Sequence, residues 1–152
     1  MAAAATVDPR ASAHEALSYY LIETDPEEFR LQHMVDAFAA ETADSGTKPI
    51  RLVFALVGLH LKIERGFSGT EIQRAHSQLA NSGATWPRLT LPAERGDIGI
   101  EDVMAAEPGH ERDAMLDRWC HSVWQAYGEH HALIRAIASQ LTGRVQAHKG
   151  TT

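Results

Sequence analysis

The stretch RLVFALVGLHLKIERG, residues 51–66, constrains the fold more than any other part of the chain. Its longest apolar run, Leu52 to Leu59, is eight residues. That falls well short of the roughly 20 residues needed to cross a bilayer. Pro49 suits a first helical position, and Gly66 suits the residue just beyond a helix end. The spacing therefore predicts a helix over 49–66 that is apolar nearly all round. Such a helix is buried by neighbours on several sides. The expected fold class is all-α, a single-domain helical bundle of four to six helices around this central apolar helix. A chain of 152 residues is enough for one domain with a real core.

The rest of the chain supplies the neighbours. SAHEALSYYLI predicts a first helix over 11–22, with Leu17, Tyr20 and Leu21 inward. In DPEEF, Asp25 reads as an N-cap, Pro26 as the first helical residue and Glu28 as its capping-box partner. Leu31, Met34, Val35 and Phe38 then mark the inward face of a second helix. SGTE opens a further helix over 70–81, and a Pro- and Gly-rich segment, ATWPRLTLPAERGDIG, follows it. A segment so long without helical period is often functional, and here it is expected to cover an opening. A short turn, IEDVMAA, leads to a last apolar stripe from Leu116 to Leu141, as one long helix or two with a kink at Gly128. The folded domain is expected over 11–142, with disordered tails over 1–10 and 143–152.

One face of the central helix carries the chemistry. At about 100° per residue, Arg51, Gly58, Lys62 and Arg65 fall on the side nearest water. Val53, Val57, His60 and Glu64 fall opposite. His60 and Glu64 are thus expected to point inward, one turn apart. A buried carboxylate needs compensation from a cation, a metal ion or a proton. Imidazole and carboxylate at this spacing can share one ion. His130 is the expected partner from the C-terminal half. Glu64, His60 and His130 are the candidate acid–base residues. The candidate ligands of a divalent metal such as Zn²⁺ are His60, Glu64 and His130, with His33 and Asp36 if the second helix is covered on both sides. Trp124 and Tyr127 are candidates for contact with a hydrophobic small molecule. His14, His76, His110, His121 and His148 read as surface residues. Cys120 lies on the apolar stripe and reads as a small buried hydrophobe, because its neighbour His121 points about 100° away.

Composition removes several functions. The formal charge is −6, from 20 acidic and 14 basic residues, which disfavours nucleic acid and anionic membrane as partners. One cysteine excludes an internal disulfide. MAAAATVDPR lacks the basic start of a secretory signal. Together these features lead to an expected cytoplasmic location. Two further functions compete with the internal site: a homodimerisation or interaction module, and a hydrophobic small-molecule binder.

The blocks FRLQHMVDAFAAE, LVGLHLKIERG, IEDVMAAEPGHE and DRWCHSVWQAYGEHH, in this order, resemble a family of uncharacterised bacterial proteins of similar size. The resemblance spans roughly residues 28 to 138 and implies no activity. Its pattern carries over to Asp36, Glu64, Arg65, Trp119, Trp124, His130 and His131. The chain departs from it at Glu41 and Thr42, where a Gln-His pair is usual, and at Ala55, where a histidine is usual. The family's N-terminal cysteine segment is also missing.

Overall fold

A computed structural model describes residues 8–25 and 28–149, with side chains through residue 141. Among these residues there are helices and no strands. Helix α1 covers Pro9–Thr24, capped by Asp8, whose Oδ1 accepts from the Arg10 N–H at 3.0 Å. It buries Leu17 and Leu21. Helix α2 covers Arg30–Thr42 and starts later than the Asp25 cap predicts. Phe29 stands in the left-handed region at φ 58°, which interrupts any helix running through it. Asp25 closes the turn instead, accepting from the N–H groups of Glu28 at 3.3 Å and Arg30 at 2.9 Å. The expected first helical residue, Pro26, lies outside the described residues.

Helix α3, Pro49–Arg65, ends as the glycine signal predicts, with Gly66 at φ 69°. It packs against α2, against α4 (Gly69–Ala80), against α6 (His110–Ala126) and against α7 (His131–Lys149). The apolar helix is therefore the centre of the bundle, as expected. A short α5, Ile100–Ala105, lies between α1 and α6. Ser68 and Glu71 form the capping box at the start of α4. The last stripe divides into α6 and α7 at a 3-10 turn, Gly128–His130. No helix among the described residues is long and apolar enough to cross a membrane.

Two expectations about faces are corrected. On α2 the buried residues are His33, Met34, Asp36, Ala37, Ala39 and Ala40, while Val35 is 44% exposed. The small alanines let α3 and α6 come close, so α2 is covered on the side that carries His33 and Asp36. On α3, Gly58 is buried rather than turned to water. A methyl group on Gly58 would stand 1.9 Å from Asp36 Oδ2, so the missing side chain is what admits α2.

The segment between α4 and α5 is tied down along its length. Trp86 meets the Phe54 ring edge-on at 5.3 Å. The carbonyl of Thr90 accepts from His130 Nε2 at 2.8 Å, and its hydroxyl donates to Glu129 at 2.9 Å. Arg95 Nη1 donates to the carbonyls of Ala40, Glu41 and Ala43 at 3.3, 3.1 and 2.8 Å, the open end of α2. Ser122 Oγ donates to Asp97 Oδ1 at 2.9 Å and accepts from the Asp97 N–H at 3.0 Å.

The tail expectations fall partly outside the described residues, over 1–7 and 150–152. Within them, α1 already includes Pro9 and Arg10, and α7 continues to Lys149.

Candidate functional site

Three polar centres are built into the bundle. The first is the expected pair on α3. His60 Nδ1 lies 3.0 Å from Glu64 Oε1. His60 is buried as expected, but Glu64 is exposed rather than inward, because it lies at the end of the helix, where its side chain is 26% open to water. The compensating cation comes from α7. Arg135 donates from Nε to Oε1 and from Nη2 to Oε2, both at 2.7 Å. Trp124 Nε1 adds a bond to Oε2 at 3.3 Å. With Arg135 the main cause, Glu64 is held down at about 2, so it is a fixed carboxylate. Burial lowers the His60 value, and Glu64 partly opposes that.

The histidine that reaches this centre is His131. Its ring stacks on Trp124 at 3.8 Å and 8°, and its Nε2 donates to the Trp124 carbonyl at 2.7 Å. His130 has different neighbours. It bonds Thr90, lies 3.3 Å from Glu129 and sits tilted against Tyr127. The 3-10 turn causes this exchange, because it ends α6 and resets the helical phase before α7 begins.

The second centre joins Glu41 to Trp119, whose Nε1 donates to Glu41 Oε2. Burial raises the Glu41 carboxyl, and the Trp119 bond opposes the rise.

The third centre sits where α2 meets α3 and α6. Asp36 is fully buried. Its Oδ1 accepts from Gln32 Nε2 at 3.0 Å, and its Oδ2 has no partner. Burial pushes its carboxyl well above the usual range. His33, one turn earlier, is 5% exposed, and its Nδ1 also lacks a partner. Burial, with Lys62 next in effect, lowers His33 to about 4. Cys120 Sγ reaches the His33 carbonyl at 3.8 Å, and burial pushes its thiol up to about 12. Cys120 is thus the inert buried thiol that its place on the stripe predicts.

His33 opens onto a cleft of about 280 Å³. Its walls carry both signs of charge: Arg30 and Lys62, and Glu28, Glu71 and Asp117. Lys62 Nζ and Asp117 Oδ1 meet at 2.8 Å.

The five candidate metal ligands therefore occupy separate settings: His60 with Glu64, His33 with Asp36, and His130 at the loop. Among the described residues, no group of three or more His, Cys, Asp or Glu side chains is placed to hold a metal ion. Trp124 and Tyr127 are 2% and 0% exposed, packed in the core rather than along a groove. Tyr127 donates from its hydroxyl to the Ala40 carbonyl at 2.6 Å. The tryptophan beside open space is Trp86, in a groove of about 450 Å³ that also touches Leu133 and Ile137. Two of the histidines read as surface residues are partly buried. His14 packs on Phe38 at 4.5 Å, and His76 Nε2 donates to the Phe54 carbonyl at 2.8 Å.

Residues 11–128 match the model of DUF5946, a family of unknown function. The chain belongs to this family. Among curated proteins and among solved structures, nothing matches the chain. The DUF5946 span takes in His33, Asp36, His60, Glu64, Lys62, Asp117 and Trp124. It stops inside the 3-10 turn, before His130, His131 and Arg135. The third centre is thus wholly within the DUF5946 span, while the first borrows its cation from beyond it.

Sequence reasoning missed Arg135, the contact of Gly58 with Asp36, and the grip of Arg95 on α2. A signal existed for Gly58, since a lone glycine inside an apolar helix points to a close backbone approach. Arg135 has one too, standing one turn beyond His131 on the same face.

Proposed function

We propose that this chain binds a small polar molecule in the cleft between α2, α3, α4 and α6, with His33 as the group that exchanges a proton with it. The observation that carries this reading is the His33 imidazole, which lines the cleft among side chains of both charges while its Nδ1 is held in the interior without a partner. A buried polar atom left without a partner costs stability, of order 1–3 kcal/mol. Such a cost is typical of a group kept for binding or catalysis. At neutral pH the ring is uncharged, so it can accept a proton. Charged side chains of both signs at the rim supply orientation.

Ring NMR of the histidines tests this. His33 is expected to titrate at about 4, separate from the exposed histidines. Its lowered value means that the unfolded chain takes up the proton first. The His33 contribution to stability is therefore full above the ordinary value of 6.5 and shrinks as pH falls toward 4. Small polar compounds that bind are expected to move the His33 ring signals first. Titration of His33 at the ordinary histidine value, or binders that leave its signals in place, rejects the reading.

A second reading keeps His60 and Glu64 as a divalent-cation site, and the 3.0 Å contact between Nδ1 and Oε1 favours it. Arg135 holds both oxygens of that carboxylate, so a cation competes with the guanidinium. The expected result is that Zn²⁺ leaves the wild-type melting temperature unchanged and raises that of Arg135→Ala. The substitution itself is expected to leave the melting temperature nearly unchanged, since the guanidinium is open to water. Equal responses of the two proteins to Zn²⁺ and to chelator reject Arg135 as the competitor.

A further inference from the structure

We infer that the cleft over His33 takes a dipolar ligand of the α-amino acid class, docked head to tail along the Lys62–Asp117 ion pair. This rests on the cleft reading above and names its ligand.

The cleft is not a site for a simple anion. Arg30 is already shared among Asp25, Glu28 and Asp113, at 3.4, 3.1 and 3.9 Å. With Glu28, Glu71 and Asp117 on the walls, an anion meets more repulsion than attraction. A simple cation meets Lys62 directly. A molecule that carries one charge of each sign avoids both conflicts.

The spacing narrows the class further. Lys62 Nζ and Asp117 Oδ1 are 2.8 Å apart. In an α-amino acid the ammonium nitrogen and the nearer carboxylate oxygen are separated by about 3 Å, as the N–Cα and Cα–C bond lengths require. The two dipoles therefore match in length. Laid antiparallel, the ligand carboxylate meets the ammonium of Lys62, and the ligand ammonium meets the carboxylate of Asp117. The ion pair stays intact, because Lys62 has three donors and uses one on Asp117. Asp117 is 59% exposed and Lys62 16%, so one pole of the pair is open to water and the other lies deeper. Both charges act on His33, in opposite directions. Lys62, Asp117 and His33 line the same cleft, so a ligand seated on the pair shares that cleft with the imidazole. A longer dipole, with its charges several carbons apart, must fold back on itself to meet both poles, at a cost in conformational freedom.

The test uses the full chain and follows the His33 ring signals with calorimetry alongside. The probes are glycine, serine and glutamate, with acetate, methylamine and 4-aminobutanoate as controls. Saturable His33 shifts are expected with the α-amino acids and not with the three controls. Lys62→Gln and Asp117→Asn are each expected to weaken binding at least tenfold with an unchanged melting temperature. Arg118→Gln, outside the cleft, is expected to change nothing. Equal shifts from acetate or methylamine overturn the inference, as does binding that survives both cleft substitutions. If uncharged polar compounds move His33 and the amino acids do not, the cleft reading stands and the dipolar ligand falls. If no compound moves His33, both fall.

Discussion

Gly58→Ala is expected to cost about 2 kcal/mol of folding free energy, although alanine is the better helix former. The added methyl would stand 1.9 Å from Asp36 Oδ2 and 2.6 Å from its Cγ, well inside van der Waals contact. Asp36 is short and fully buried, so it has nowhere to swing. The cost comes from this one encounter, and that makes it separable. In an Asp36→Ala background the methyl meets no carboxyl. There the same change is expected to stabilise the protein by up to about 1 kcal/mol, the ordinary helix preference of alanine over glycine. The coupling between the two positions is then about 3 kcal/mol, at the top of the usual range for residues in contact. Urea denaturation of the four proteins measures it. An equal cost of Gly58→Ala in both backgrounds removes the close approach of α2 and α3 as its cause.

Asp36→Asn is expected to stabilise the protein near neutral pH, by an amount that grows with pH. Burial raises the folded-state carboxyl well above its ordinary value of 3.8. Between 3.8 and the folded value, the folded chain keeps a proton that the unfolded chain has released. Folding then takes up a proton, so stability falls as pH rises, by about 1.4 kcal/mol for each unit. Below 3.8 the penalty is absent. Asparagine keeps the shape and the Gln32 neighbour but does not titrate. The variant and the wild type are expected to be closest in stability near pH 4 and to separate as pH rises above it, in thermal or urea melts. His33 pulls the stability curve the other way over part of this range. It is present in both proteins, so it drops out of the difference. Parallel curves across the whole range mean that Asp36 is ionised in the folded state.

How far the sequence could be read depended on whether the information was local. The central helix, its glycine stop and the helix opened by SGTE all follow from neighbours within one or two turns and appear in the structure. Whether the last stripe breaks at Gly128 was left open by the sequence, and the structure divides it there. The start of α2 was misread because Asp25-Pro26 carries the form of a helix start. What decides the boundary is the left-handed Phe29, which no propensity of phenylalanine announces. The α2 face was misread for a related reason. Leu31, Val35 and Phe38 have the right period, yet alanines admit other helices more closely than large side chains do. The His60–Glu64 contact was legible from i, i+4 spacing alone. Its guanidinium partner was not, because Arg135 and Glu64 are 71 residues apart and no local rule connects them. The exchange of His130 for His131 is a question of helical phase, which a single 3-10 turn shifts by enough to choose the neighbour.

The grip of Arg95 on α2 has a consequence for how this molecule reaches its native state. One guanidinium closes the last turn of a helix from more than fifty residues downstream, at separations of 52 to 55 positions. Until that arginine arrives, the carbonyls of Glu41 and Ala43 have only water to bond, and that of Ala40 has only the Tyr127 hydroxyl. The end of the helix and the segment after Pro92 should therefore gain protection from amide exchange together, as one cooperative unit, rather than each in its own time. A stretch bound in this way opens only at the expense of a helix terminus, so it behaves as a brace across the bundle and not as a hinged cover.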